Sequence, residues 1–179
     1  MTSEELWRLF PIILSEHNPD WAEYYKEEKV LLGKHFGTLL VRISHIGSTA
    51  VEGLIAKPTV DILLEVDPAA SPDAVRQSAE LCGYTVMAES LAPEYRLDLC
   101  KGYTPQGFAE RVFHLHIRHP GDWDEIVFRD YLRRNPRKAD EYAALKKALR
   151  KRFEHDRDAY TEAKGEFIRA CVEAARDRK

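Results

Sequence analysis

With 179 residues, 30 Asp and Glu against 27 Lys and Arg, and a formal net charge of −3, the chain has the size of one domain, residues 1–179, that needs no staple. Its three cysteines, Cys82, Cys100 and Cys171, are odd in number and far apart, which excludes a disulfide framework and suits a reducing cytoplasm. The opening MTSEELW carries acids where a secretory leader would carry bases, and the longest apolar run, FPIIL, is far shorter than the ~20 residues of a membrane span; a cytoplasmic protein with no membrane partner is expected.

Residues 1–16 read as an N-terminal extension, in which Ser3 can cap a short helix to about Phe10, Pro11 stops it, and residues 12–14 form a brief edge strand. Asn18-Pro19-Asp20 opens a helix to about His35, where Trp21, Tyr24, Tyr25, Leu31 and Leu32 share a face that Glu28 interrupts. Residues 38–46 and 59–66 read as strands, 71–83 as a helix closed by Gly83, and 84–89, 95–101 and 111–119 as three further strands. The stretch KGYTPQGFAE, residues 101–110, reads as a turn or a mobile loop. Three helices follow from near Asp122, Pro136 and Asp156, so residues 122–179 form a helical C-terminal part of the same domain. Strands and helices mixed without strict alternation predict an α/β or α+β sheet with helices packed on it.

Charge is unevenly placed along this order. Residues 1–128 hold 11 Lys and Arg against 20 Asp and Glu, and residues 129–179 hold 16 against 10, so the two parts carry −9 and +6. A basic tail admits nucleic acid as a partner. Helices rich in mixed charge more commonly show solvent a polar face, so nucleic acid is not favoured.

Candidate chemistry begins at Gly47-Ser48, where a strand ends and a helical turn can start. Glycine lets backbone approach a ligand closely, and free N–H groups at such a start favour an anion. Twelve residues later the next strand carries Asp61, a carboxylate that is costly to bury unless it is paired, hydrogen-bonded or metal-bound. On the strand RVFHLHIRH, alternation puts Phe113, Leu115 and Ile117 on a core face and His114, His116 and Arg118 on the other. That second face suits a phosphate, a carboxylate or a metal, and is equally readable as a polar sheet face under a loop.

The stretches HIGSTAVEGLIAKPTVDI, FHLHI, FRDYLRRNP, YAALKKALRKRF and YTEAKGEFI, with NPDWAEYYKEE before them, resemble the GrpB family of the nucleotidyltransferase-fold superfamily over residues 17–170. The resemblance implies a mixed β-sheet with helices packed on it and a helical C-terminal segment. It also implies that Gly47, Ser48 and Asp61 form the catalytic set, Gly47 and Ser48 holding the phosphates of a nucleoside triphosphate and Asp61 holding magnesium, with help from His116 or from the substrate phosphates.

The superfamily pattern then asks for a second carboxylate at position 63, where this chain has Leu63. Glu65 lies on the same strand face as Asp61 but about 13 Å along, at ~3.3 Å per residue, too far to share one metal. Asp98 can replace the missing acid from a neighbouring strand or be a solvated edge residue, and the edge reading is favoured. Lys57, Arg96, His114 and His116 are candidate ligand-binding residues, each with a plainer reading as surface or sheet-face polarity.

Lys164 sits within the apolar stripe of Tyr160, Ala163, Phe167, Ile168 and Cys171, where a lysine snorkels or points inward. Glu28 is equally out of place on its helix. Either the two pair and tie the ends of the chain together, or both face the ligand. Arg129, Asp130, Arg133 and Arg134 read as structural or rim charges.

Three functions follow from these residues. One is a magnesium-dependent enzyme transferring a nucleotidyl group from a nucleoside triphosphate to an acceptor. Another is a module on the same fold that binds a nucleotide or other phosphorylated small molecule without catalysis. The third is a protein interaction domain using the basic C-terminal helices.

Overall fold

A computed structural model describes residues 2–178. Five strands, β1 (Leu40–Ile46), β2 (Val60–Val66), β3 (Thr85–Ser90), β4 (Arg96–Thr104) and β5 (Gly107–Arg118), form one sheet in the order β1-β2-β5-β4-β3. The β2–β5 pair is parallel and the other pairs are antiparallel, so the sheet is mixed.

The period-two pattern decides which face each residue takes. Ile62 and Leu64 of β2, Phe113, Leu115 and Ile117 of β5, and Leu97 and Leu99 of β4 join the main apolar core. Helix α2 (Asp20–Phe36) covers that face with Trp21, Leu32 and Phe36, and α3 (Pro72–Leu81) adds Val75 and Ala79. The opposite face carries Asp61, His114, His116, Asp98 and Cys100. Three C-terminal helices, α4 (Asp124–Arg134), α5 (Pro136–Arg152) and α6 (Arg157–Arg176), share a second apolar cluster built on Phe128, Tyr142 and Val172, joined by Val51 and Leu54 from the β1–β2 connection. No helix among the described residues is long and apolar enough to cross a membrane.

Several local expectations need correction. The N-terminal helix α1 (Ser3–Leu9) is capped by Thr2 in a reciprocal box with Glu5, not by Ser3. Residues 12–14 form no strand: Pro11 has no N–H to give, Ile12 sends its own to Glu154 O at 3.3 Å, and Ser15 alone bridges Ala56. Residues 101–110 are ordered as a hairpin, with β4 continuing to Thr104 and pairing it with Gly107. The two-residue turn at Pro105-Gln106 is held by Thr104, whose hydroxyl donates to Gly107 O at 2.8 Å and accepts from Gln106 N at 3.2 Å.

Glu28 and Lys164 do not meet. The Glu28 carboxylate, on the α2 side of the sheet, accepts from Lys101 Nζ at 2.6 Å, while Lys164 lines a cavity on the other side. Glu28 is therefore a structural ion-pair partner and not a ligand residue. Removing its counter-ion by Lys101→Ala strands a buried carboxylate, and should cost about 2–4 kcal/mol in denaturant unfolding. The same experiment on Lys164→Ala should show no comparable loss.

Candidate functional site

The polar face of the sheet floors a cavity of about 830 Å³, with α6 and α4 on one side and α1 on another. Its geometry starts at the end of β1. Register places Ile46 opposite Asp61, and Gly47 then turns the chain with φ 74° into a short 3₁₀ turn, Ser48–Ala50. A Cβ at position 47 would lie 2.6 Å from Asp61 Oδ2. Only glycine permits both the left-handed backbone and this approach.

Helix α4 holds this turn from outside. Arg129 donates to His45 O at 2.9 Å, and Arg133 donates twice to Ala50 O, at 3.0 and 2.7 Å. These arginines are structural, as their place beside the buried stripe of α4 suggested. Helix α5 reaches the turn from inside through Lys146, whose ammonium donates to Ser48 Oγ at 2.9 Å and to Ile55 O.

Asp61 faces two imidazoles from β5. Its Oδ1 lies 3.4 Å from His116 Nε2 and 3.6 Å from His114 Nδ1. His116 is bonded on its other side too, with Nδ1 2.9 Å from Asp98 Oδ1, and Asp98 in turn accepts from Arg118 Nη2 at 2.8 Å. Asp98 is no solvated edge residue: β3 continues the sheet beyond β4, so β4 is interior.

Burial disfavours a charged imidazole, but the bonds to Asp61 and Asp98 prevail and raise His116 to about 9. Burial likewise opposes ionisation of Asp61, and the His116 bond with the charges of His114, His116 and Lys57 outweighs it, so this carboxyl stays below its ordinary range. Burial takes His114 down to about 4, and its Nε2 lies 2.8 Å from Tyr103 Oη.

Around this centre stand three more cations. Lys57, Lys146 and Lys164 all line the cavity. Burial, reinforced by mutual repulsion, lowers Lys57 and Lys146 to about 7. Burial lowers Lys164 to about 8, against the attraction of Asp61. Lys57 and Lys164 sit 5.5 and 4.7 Å from the centre of the Tyr160 ring, and neither forms an ion pair with a carboxylate among the described residues. Arg157 lines the same space.

A magnesium clamp asks for oxygen donors at near-octahedral geometry, commonly two carboxylates with substrate phosphates. Here Leu63 occupies the second acid's place and is 0% exposed. Asp98 is taken by His116 and Arg118, and both ring nitrogens of His116 face carboxylates. The donor set does not fit a two-metal clamp. It fits an anion.

Residues 11–174 match the family described as GrpB protein. The chain belongs to the GrpB family. It is 34% identical over 163 residues to UPF0157 protein YqkA of Bacillus subtilis, covering 89% of this chain and 46% of that protein; the chain thus spans about half the length of that relative. The crystal structure of conserved protein GrpB from Enterococcus faecalis matches with a TM-score of 0.80 at 31% identity, over 93% of this chain and 98% of that one. Cid1 poly(U) polymerase, solved with Mg 3′-dATP bound, matches with a TM-score of 0.50 at 14% identity, over 84% of this chain and 46% of that one. That likeness shows a nucleotidyltransferase-like fold.

In this GrpB chain the fold brings Gly47, Ser48, Lys57, Asp61, His114, His116 and Lys164 to one cavity. It leaves Glu28 on the far side of the sheet. Arg96 is also turned elsewhere, bonded to Glu94 at 3.0 Å and stacked 5.7 Å from the Trp123 ring, so it is not a ligand residue. Lys146 and Arg157 were missed. Lys146 carried the same signal as Lys164, a lysine in an apolar stripe, since Tyr142, Lys146 and Leu149 are the buried residues of α5. Arg157 gave no such signal, because it lies at the first position of its helix.

Two measurements check this geometry. Gly47→Ala meets both a strained backbone and Asp61 Oδ2, so its melting midpoint should fall by about 2–12 °C, from a cost of roughly 1–3 kcal/mol. Stability of the ligand-free protein should rise between pH 7 and 9. Over that window the folded state releases protons from Lys57 and Lys146 near 7 and Lys164 near 8, while the unfolded lysines still hold theirs. His116 acts oppositely, its contribution complete below about 6.5 and lost as pH rises through about 9. Three lysines outweigh one histidine, and melts of Lys164→Met across this range should show a smaller rise.

Proposed function

We propose that the cavity binds a nucleoside polyphosphate, with its phosphates received by the Gly47-Ser48 turn and by Lys57, Lys146 and Lys164. The protein then acts as a nucleotide-binding module on a nucleotidyltransferase-like frame. One observation carries this reading: Lys57, Lys146 and Lys164 line the cavity with Asp61, itself faced by two histidines, and none of the three is in an ion pair with a carboxylate among the described residues, Asp124, Glu125 and Asp158 of the same lining included. Ammonium groups held in a poorly solvated space raise the energy of the empty site, and a polyphosphate relieves that cost with charge-assisted hydrogen bonds.

Nucleotidyl transfer is the second reading, and the placement of Asp61 beside Gly47 favours it. In that case a magnesium ion would rest on Asp61 and on the substrate's own phosphates.

Thermal melting with each nucleoside triphosphate separates the two. At one hundred times the dissociation constant, binding to the folded state adds roughly 2.7 kcal/mol, and at about 2–4 °C per kcal/mol the midpoint should rise by about 5–11 °C. The module reading expects this rise in the presence of a chelator and a larger one in Asp61→Asn, where a charge repelling the phosphates is gone. Transfer chemistry expects a rise that needs magnesium and disappears in Asp61→Asn. If no nucleoside triphosphate moves the midpoint at millimolar concentration, the nucleotide reading is wrong.

A further inference from the structure

The cavity is lined by cations and by apolar groups, and the apolar half of that lining comes in part from residues outside the stretch that matches the family. Leu6, Trp7 and Phe10 line the same space as Ser48 and the lysines, whereas the family match begins at residue 11. Helix α1 buries none of its own residues; Leu6 is 36% exposed and Trp7 is half-buried. An apolar helix face turned into a cavity and left partly open is costly unless something flat and apolar covers it.

Behind that face lies a rigid backing. Phe10 packs against Tyr103 and Phe108 with ring centres 5.0 Å apart in both pairs, and Tyr103 lies 5.2 Å from Phe108. Arg157 joins the two halves of the cavity. Its guanidinium lies 5.8 and 5.7 Å from the Tyr103 and Phe108 rings and donates to Tyr103 Oη at 3.2 Å and to Phe10 O at 3.5 Å. The end of α1 is thereby tied to a cation of the polar half.

A ligand that satisfies both halves carries a multiply charged anionic tail and a planar apolar head. From this we infer that Trp7 is the stacking platform for the nucleobase, and that α1 is the element that makes the site prefer a nucleotide over a bare polyphosphate. The inference rests on the nucleotide reading above. It adds what that reading lacks, a reason for the aromatic wall. Neither of the other tryptophans competes for the role: Trp21 is buried in the core under α2, and Trp123 donates its indole N–H to His119 O at 3.0 Å, outside the cavity.

The test compares two probes without metal, ATP and inorganic tripolyphosphate, by titration calorimetry on the full chain. Wild type should bind ATP about tenfold or more tightly than tripolyphosphate, the margin expected of base–aromatic stacking. Trp7→Phe should keep most of that margin. Trp7→Leu should bring ATP down to the level of tripolyphosphate while leaving tripolyphosphate affinity unchanged, which also shows that the variant is folded. A margin that survives in Trp7→Leu overturns the stacking role and leaves the nucleotide reading standing. So does equal affinity of the wild type for both probes, and so does a joint loss of both probes in Trp7→Leu, which would make Trp7 a structural residue. Failure of the wild type to bind either probe overturns the stacking role together with the metal-free module reading on which it rests.

Discussion

The site depends on how a carboxylate is kept charged on the sheet beneath a poorly solvated cavity. Asp61 is held by His116, His116 by Asp98, and Asp98 by Arg118, a relay that crosses β2, β5 and β4 and alternates in sign. Two negative and two positive groups leave it neutral as a unit. Charges paired in this way satisfy one another without water. Lys57, Lys146, Lys164 and Arg157 therefore face the cavity with nothing left in the relay to neutralise them. On the proposed reading these cations receive the anion, while Asp124, Glu125 and Asp158 line the same space.

The same economy of charge explains the basic C-terminal third. Its excess does not simply coat the surface. Arg129 and Arg133 hold the carbonyls on either side of the Gly47-Ser48 turn, Arg176 binds Asp122 and Asp124 at the start of α4, and Lys146, Arg157 and Lys164 turn inward. A net charge counted along the chain thus divides, in space, between clamps on backbone and a lining for the cavity.

How much of this was legible depended on whether the signal was local. Gly47, Ser48 and Asp61 could be read because strand end, turn and next strand lie within 15 residues of one another, and the register of an antiparallel pair then brings them together. Lys164 was legible because a lysine in an apolar stripe is anomalous by itself. Asp98 was misread because its role needs the strand order: only β3 lying outside β4 makes that strand interior. Glu28 was anomalous for the same reason as Lys164, yet helix periodicity says that a charge is buried, not which side of the sheet it is buried against. The wall from α1 was not legible, since Trp7 and Tyr103 are far apart in sequence and meet around one space through the hairpin that 101–110 was not expected to form.

Leu63 ties these observations into one argument. A site with acids at both 61 and 63 would present two negative charges on one strand face, and its natural counter-ions would be metal cations that then carry the phosphates. With a fully buried leucine at 63 and Asp61 already engaged by histidines, the strand offers the cavity one carboxylate instead of two. Three lysines line the same cavity, and on the proposed reading they would neutralise phosphate oxygens directly. Burial lowers Lys57 and Lys146 to about 7 and Lys164 to about 8, and an anion beside them would favour their charged forms. On the nucleotide-binding reading, the single carboxylate and the three lysines belong together: the protein's own ammonium groups would supply the positive charge that the phosphates need.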